Sequence, residues 1–209
     1  MASRFVPAAG FGLGGDWFDA FVLPDDRLGI VMGDVTGSGL AAAVVMGRLR
    51  SALRAYAIDS ADPAAALEKL NRKFMHFEPG QMATVLYLTI APDRETVTIA
   101  SAGHPPPIGA APHEAPQFLA CTPSPPIGVL PDHPCTVTEA PLRPGTTIVC
   151  FTDGLYERRT APIDEQLERL RAAVTSDRPE TVCSNVMATM VGSHRVEDDT
   201  ALLALTRTR

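Results

Sequence analysis

The sequence predicts an α+β fold in which two mainly antiparallel sheets are flanked by helices. Short runs of apolar and β-branched residues follow one another and are separated by turn residues, which indicates strands that pair sequentially. Segments with helical periodicity occur in adjacent pairs, which suits helices that cover two packed sheets. The chain has 209 residues, of which 45% are hydrophobic, and this is enough for one core. We therefore expect a single domain over residues 1–209.

The first predicted element is a β-hairpin. The stretch Gly14–Leu23 is rich in apolar and aromatic residues, as is typical of a strand. Pro24-Asp25-Asp26 has the residues of a turn, and Leu28–Asp34 has the pattern of the returning strand. If the turn forms a three-residue loop, Leu23 pairs with Arg27 and the same register continues along both strands.

Two aspartates should face each other in this hairpin. The register of a three-residue loop places Asp16 directly opposite Asp34, whereas a two-residue loop would leave them diagonal neighbours. Like charges directly opposite on a sheet are destabilising by roughly 0.2–1 kcal/mol. Either arrangement therefore indicates one half of a divalent-metal site.

Two helices are predicted after the hairpin. Gly37 and Ser38 are expected to cap a helix from Leu40 to Ala57, and Asp62-Pro63 opens a second helix that ends near His76. In the first helix the apolar positions at helical spacing are Leu40, Val44, Leu49, Leu53 and Tyr56, and the more exposed side carries Arg48, Arg50 and Arg54.

The rest of the chain continues the α+β pattern. Met82–Ile90 and Thr96–Ala102 are predicted to pair around the turn Pro92-Asp93-Arg94. Further strands are predicted at Gln117–Leu119, Thr136–Thr138, Thr147–Phe151 and Thr200–Leu205, and further helices at Ile163–Val174 and Pro179–Met190.

Other acidic residues also occur at the ends of predicted strands. Asp153 follows the run Thr147–Phe151, and Glu197-Asp198-Asp199 precedes the run Thr200–Leu205. Clustered carboxylates with few histidine or cysteine partners suit a hard cation such as Mg²⁺ or Mn²⁺. Each acid alone is more simply a turn residue beside glycine, but together with Asp16 and Asp34 they favour a metal site.

A family resemblance rests on motifs that occur in a fixed order along the chain. These motifs are Gly14-Gly15-Asp16-Trp17-Phe18-Asp19, Gly33-Asp34-Val35-Thr36-Gly37-Ser38-Gly39, Ser101-Ala102-Gly103-His104-Pro105-Pro106-Pro107, Pro126-Ile127-Gly128, Phe151-Thr152-Asp153-Gly154-Leu155-Tyr156-Glu157 and Asp198-Asp199. From about Arg4 to Leu205 the chain resembles the SpoIIE/RsbU-like branch of the metal-dependent (PPM-type) bacterial serine/threonine phosphatases. The resemblance implies a four-layer α-β-β-α sandwich.

The resemblance also implies a catalytic site with two Mn²⁺ or Mg²⁺ ions. Asp16 and Asp34 would bridge or flank the ions, and the backbone carbonyl of Val35 would be a further ligand. Asp153 and Asp198 would complete the second metal. Two ions of this kind lower the proton affinity of a coordinated water and stabilise phosphoryl oxygens, so no covalent phosphoenzyme is required.

At one position of this expected site the chain offers a choice of ligand, and at two others it differs from eukaryotic-type relatives. The family pattern usually places the ligand at the first of the two C-terminal acids, so Asp198 is preferred over Asp199, which would orient the ligand or its water. Eukaryotic-type relatives have a histidine two residues after the Asp34 position, and Thr36 stands there in this chain. They also have a phosphate-binding arginine shortly before the Asp16 position, whereas the nearest upstream arginine here is Arg4.

Two other conspicuous residues have simpler interpretations. His104 is expected to hydrogen-bond in a tight, proline-locked turn, with contact to substrate as the less favoured alternative. Trp17 is expected to be a core anchor behind the metal site.

The resemblance implies a phosphoserine/phosphothreonine protein phosphatase. The usual substrates of this branch are phosphorylated STAS-type anti-anti-sigma proteins in partner-switching pathways. Two alternatives remain: a non-catalytic module of the same fold that binds a partner, and a hydrolase of small phosphate esters. An upstream regulator or sensor domain and a homodimer are the other expected partners, since relatives commonly have an N-terminal sensor module. The chain is therefore an excised catalytic domain or a short stand-alone member.

Composition excludes several other classes. The formal charge of −6 and the lack of a basic run argue against a nucleic-acid partner. Four cysteines without short pairings are typical of a reduced chain, and we expect a cytoplasmic location. Neither a signal-peptide pattern nor an apolar stretch of about 18 residues is present, so no membrane span is expected.

Overall fold

The chain folds into two compact units, each with its own sheet. The computed structural model describes residues 1–8, 14–131, 134–158, 161–192, 196 and 198–208. The first unit contains the described residues of Met1–Gly12, Pro107–Leu119 and Leu142–Arg209, and the second those of Leu13–Pro106 and Ala120–Pro141. In chain order the elements are β1 (Ala2–Val6), β2 (Trp17–Val22), β3 (Leu28–Val35), α1 (Gly39–Asp59), α2 (Pro63–Phe77), β4 (Ala83–Ile90), β5 (Thr96–Ala102), β6 (Ile108–Ala110), β7 (Gln117–Phe118), β8 (Val137–Pro141), β9 (Thr147–Phe151), a 3₁₀ turn (Asp153–Leu155), α3 (Ile163–Ala173), α4 (Pro179–Met190) and β10 (Thr200–Thr206).

The second unit has an antiparallel sheet in the order β2-β3-β4-β5-β8, with α1 and α2 packed on one face. The helices and the sheet share a core to which Val31, Val85 and Tyr87 contribute from alternate strand positions. Asp62 caps α2, because its side chain accepts a hydrogen bond from the backbone N–H of Ala64 at 2.9 Å.

The first unit has an antiparallel sheet in the order β1-β10-β9-β6-β7. Helix α4 packs against β1 and β10, and α3 packs against α4. Phe151, Val186 and Leu202 are fully or almost fully buried in its core. None of the described helices combines the length and the apolar character that crossing a membrane requires.

Most of the predicted elements are confirmed within a few residues. The structure adds two strands that the sequence did not predict, β1 and β6. Both complete the sheet of the first unit by pairing with strands that were predicted, β1 with β10 and β6 with β9. Neither strand alternates cleanly between apolar and polar residues, so the hydrophobic pattern gave no signal for them.

The predicted buried face of α1 is wrong in its first half. Leu40 and Val44 are 69% and 44% exposed, while the buried stripe consists of Ala42, Val45, Leu49, Leu53 and Ala57. The buried stripe begins and ends with alanines, whose small side chains carry little hydrophobic signal, so it is not the stripe with the largest side chains. Ser38 is the N-cap residue as predicted, although its side chain makes no capping hydrogen bond within the described chain.

A buried carboxylate fastens α1 to the hairpin. Asp19 on β2 is 4% exposed and accepts hydrogen bonds from Arg50 at 3.1 and 3.3 Å and from Arg54 at 2.6 Å at both oxygens. Burial alone would raise the pKa of the Asp19 carboxyl, but the hydrogen bonds from Arg54 and Arg50 outweigh burial and the pKa is lowered. Arg54 also lies over the ring of Phe21 at 5.6 Å.

We expect Asp19→Asn to destabilise the protein by about 2 kcal/mol near pH 7, because charge-assisted hydrogen bonds are lost at a buried site. The folded-state pKa of Asp19 is lowered, so its contribution is present above the unfolded pKa of ~3.9 and is lost as the pH falls through the lower folded value. Urea unfolding of both proteins from pH 7 to pH 3 should show this difference shrinking with acid.

The matched control is Asp93→Asn, which changes an exposed acid in the turn between β4 and β5. It should leave the free energy of unfolding within about 0.5 kcal/mol of the wild type. An Asp19→Asn difference that stays constant down to pH 3 would contradict the role given to the ionised carboxylate.

Candidate metal centre

The hairpin register brings two aspartates together. Leu23 N–H donates to the Arg27 carbonyl at 2.8 Å, which is the three-residue-loop pairing predicted from the sequence. The ladder continues in this register along β2 and β3 as far as Trp17 and Gly33. Two residues beyond this pair, Val35 N–H donates to the carbonyl oxygen of Gly15 at 3.3 Å. The two segments of the hairpin are therefore paired on both sides of Asp16 and Asp34.

The carboxylates of Asp16 and Asp34 are close together, and Asp16 is shielded from water. One oxygen of each lies within 4.8 Å of the other. Asp16 is 6% exposed and Asp34 is half-buried. At this separation two ionised carboxylates repel each other, and the repulsion is stronger where water is excluded. A divalent cation between them would turn that repulsion into coordination.

A glycine allows the backbone to approach closely at this point. A Cβ on Gly15 would lie 2.1 Å from the carbonyl oxygen of Val35, a distance that no real side chain tolerates. The Gly15 segment therefore packs directly against the Val35 carbonyl, next to Asp16 and Asp34 in the chain. Two carboxylates and a nearby carbonyl oxygen form a donor set that fits Mg²⁺ or Mn²⁺.

Trp17 supports this end of the hairpin from the other face. Its side chain is 4% exposed and belongs to the core shared with α1 and α2, as the sequence predicted. The indole covers Gly33, where a Cβ would lie 2.3 Å from the ring. The strand ends that carry Asp16 and Asp34 therefore rest on a rigid aromatic support.

In the first unit, Asp153 lies two residues after the end of β9 and begins the 3₁₀ turn, with Thr152 between them. Its carbonyl oxygen accepts hydrogen bonds from the N–H groups of Tyr156 at 2.9 Å and Glu157 at 2.7 Å. Gly154 is packed against the backbone of Asp199, since a Cβ there would lie 1.9 Å from the Asp199 carbonyl oxygen. The structure thus brings the Asp153 turn and the C-terminal acids together within this unit.

The two C-terminal acids have different environments. Asp199 is 7% exposed, and its Oδ1 accepts a hydrogen bond from Ala8 N–H at 2.8 Å. Asp198 is exposed, and its Oδ1 accepts from the N–H of Asp199 at 2.7 Å. Asp199 therefore ties the N-terminal segment to the start of β10. Glu197, which precedes them, lies outside the described residues.

Two positions that differ from the eukaryotic-type pattern have structural partners. Thr36 donates through both its N–H and its Oγ1 to the carbonyl oxygen of Met82, each at 3.0 Å. Arg4 on β1 forms an ion pair with Glu180 on α4. The two hydrogen bonds of Thr36 thus connect the end of β3 to the start of β4. The Arg4 guanidinium is paired with a carboxylate of the first unit.

Comparison with solved structures identifies the class of fold. The RsbU and RsbW domains of Rv1364c from Mycobacterium tuberculosis match with 30% identity and a TM-score of 0.85, over 99% of this chain and 60% of that one. The SiaA-PP2C domain of Pseudomonas aeruginosa matches with 22% identity and a TM-score of 0.77, over 98% of this chain and 85% of that one. RsbX in complex with magnesium matches with 20% identity and a TM-score of 0.68, over 97% and 92%. The predicted PPM-type α+β fold is confirmed.

The sequence comparison identifies the family. The family described as Stage II sporulation protein E (SpoIIE) matches residues 24–208, and the chain belongs to this family. Protein IcfG of Synechocystis sp. is 27% identical over 199 residues, which cover 82% of this chain and 31% of that protein. The phosphoserine phosphatase RsbU of Bacillus subtilis is 27% identical over 149 residues, which cover 71% and 44%. The chain thus spans less than half of either relative, and the comparisons support the predicted class, a serine/threonine protein phosphatase.

We expect Gly15→Ala to weaken Mn²⁺ binding by about tenfold or more, because the new methyl group must push the Gly15 segment away from the Val35 carbonyl. Isothermal titration of the purified chain with Mn²⁺ measures the effect. The control is Gly47→Ala on α1, where no described atom lies within 4 Å of the added Cβ. That change should leave Mn²⁺ affinity unaltered and stabilise the helix by about 0.5–1 kcal/mol. Equal Mn²⁺ affinities in the two variants would contradict the close approach.

Proposed function

We propose that this chain hydrolyses phosphoserine or phosphothreonine on a signalling protein, using two Mn²⁺ or Mg²⁺ ions. Asp16, Asp34 and the Val35 carbonyl would hold ions from the second unit, and Asp153 and Asp198 from the first, so that both units act as one domain over residues 1–209. The observation that carries the proposal is the register that holds the Asp16 and Asp34 carboxylates within 4.8 Å.

The donor atoms support hard divalent cations. Carboxylate and carbonyl oxygens at the ends of rigid strands suit Mg²⁺ or Mn²⁺ rather than a softer metal. When bound, such ions lower the pKa of a coordinated water and neutralise charge on the phosphoryl oxygens. RsbX, whose fold this chain shares, has been solved in complex with magnesium, which agrees with the expected class of ion.

The residues of the chain would bind and orient rather than attack. Backbone pairing holds the Asp16 and Asp34 main chains opposite each other, so the two carboxylates are already close together before an ion binds. Asp199 would hold the segment that presents Asp198, because its carboxylate is hydrogen-bonded to Ala8 while Asp198 remains exposed. Thr36 has no acidic proton to give at neutral pH, so protonation of the leaving oxygen would fall to solvent or to the substrate.

The proposed substrate is a phosphorylated STAS-type anti-anti-sigma protein in a partner-switching pathway. Membership of the SpoIIE family and the similarity to the phosphoserine phosphatase RsbU support this class of substrate. An upstream regulator or sensor domain, or a second copy of the chain, would control the activity, and the cytoplasm would be its location.

We expect Asp34→Ala and Asp153→Ala each to reduce turnover of a phosphorylated STAS protein by more than about 100-fold, since each removes a direct ligand and even indirect ligand contacts are worth about 10–100-fold. The fold should survive, and the metal-free Asp34→Ala protein should melt at the same or a higher temperature because carboxylate repulsion is relieved. Asp59→Ala, an exposed acid at the end of α1, is the control and should leave turnover unchanged. An Asp34→Ala protein with near-normal turnover at saturating Mn²⁺ would falsify the assignment.

Substrate class is tested by comparing a phosphorylated STAS protein with p-nitrophenyl phosphate, each with and without Mn²⁺. We expect metal-dependent turnover with a much higher kcat/KM for the phosphoprotein. A preference for the small ester would indicate a small-phosphoester hydrolase. Binding of the STAS protein without turnover of either compound would indicate a non-catalytic partner-binding module.

A further inference from the structure

A threonine on the neighbouring strand lies next to Asp34. In the ladder between β3 and β4, Thr84 is the residue directly opposite Asp34. Directly opposed residues on an antiparallel pair have Cβ atoms about 4.5–5.5 Å apart and point to the same face. Further along β4 that face carries Leu86, Leu88 and Ile90, all of them buried and apolar. Thr84 therefore places a hydroxyl beside Asp34 at the polar end of an otherwise apolar row.

The Thr84 hydroxyl is itself held by a buried histidine. Its Oγ1 lies 2.9 Å from Nδ1 of His104, whose side chain is 6% exposed. Hydrogen bonding of His104 in the turn after β5 was predicted from the sequence, but its partner Thr84 was not. The contact links the Gly103-His104-Pro105 turn to the strand that lies against Asp34.

The backbone around His104 is locked. Ser101 Oγ donates to the His104 carbonyl oxygen at 2.7 Å and accepts from the His104 N–H at 3.1 Å. Gly103 has a φ of +72°, its N–H donates to the Ser124 carbonyl at 2.8 Å, and a Cβ on it would lie 2.5 Å from Pro126. The backbone position from which the imidazole projects is therefore set by its own turn.

We propose that Thr84 and His104 are positioning residues that orient the Asp34 carboxylate for metal binding. This inference rests on the proposed function. In the proposed arrangement, Nδ1–H of His104 donates to Thr84 Oγ1, and the Thr84 hydroxyl in turn donates to the Asp34 carboxylate on the adjacent strand. The chain from the locked turn through His104 and Thr84 thus fixes the carboxylate in the orientation that an ion requires.

The test measures Mn²⁺ affinity by isothermal titration calorimetry on the purified chain, with thermal unfolding in EDTA as the measure of folding. Thr84→Val and His104→Leu should each weaken Mn²⁺ binding by about 10–100-fold. Their double variant should lose little more than either single variant, because both changes break one linked contact. Thr84→Ser keeps the hydroxyl and should retain affinity close to that of the wild type.

Two further comparisons separate positioning from packing. His104→Asn places a polar atom near the position of Nδ1, whereas His104→Gln places it near Nε2. Mn²⁺ affinity should therefore be retained in His104→Asn and lost in His104→Gln. This comparison tests the positioning role even if Thr84→Val and His104→Leu do not fold. The matched control is Thr89→Val on the same strand, since Thr89 is 3% exposed and belongs to the other face.

The outcomes are distinct. If the wild type binds Mn²⁺ and Thr84→Val binds it equally well, or if His104→Asn and His104→Gln are equally weakened, the positioning role is wrong while the proposed function stands. If the wild type binds neither Mn²⁺ nor Mg²⁺, the proposed function fails and this inference fails with it. Weakened binding in Thr84→Val and His104→Gln, with retention in Thr84→Ser and His104→Asn, supports the proposal.

Discussion

The register of the hairpin between β2 and β3 is the constraint on which the candidate site depends. Side chains alternate between the two faces of a strand, so a slip of one residue would turn Asp16 to the opposite face from Asp34. The expectation that a two-residue loop would also keep the two acids together is therefore wrong, and only the observed three-residue loop does so. The pairing of Leu23 with Arg27 fixes the register at the turn, and the bond from Val35 to Gly15 maintains it at the open end. The proximity of the two carboxylates is thus a property of backbone pairing.

The hairpin segment over residues 16–22 uses two aspartates in two physically different ways. Asp19 faces α1 and is neutralised by Arg50 and Arg54, so the protein itself supplies the compensating charge. Asp16 lies beside a second carboxylate, that of Asp34, so the compensating charge would come from a cation in solution. Anchoring of the helix on one face therefore holds the hairpin that presents the acids, while the acids themselves carry a repulsion that ion binding would relieve.

The sequence predicted the parts of the fold that depend on local rules. The hairpin register followed from turn length and alternation, and α2 from Asp62-Pro63 at its start. The buried face of α1 was not predictable, because alanines such as Ala42 and Ala57 carry little hydrophobic signal. Acids at strand ends marked the candidate metal site, whereas the contact of Thr84 with His104 depends on how separate strands pair and left no pattern in the sequence.

An ion held between Asp16 and Asp34 is detected most directly by anomalous diffraction at the manganese edge from crystals of this chain grown with Mn²⁺. We expect an anomalous peak between the carboxylates of Asp16 and Asp34, with oxygen ligands at about 2.0–2.3 Å, which is the range for small hard cations. Manganese bound only at other residues, with the oxygens of Asp16 and Asp34 both outside coordination distance, would contradict this metal site.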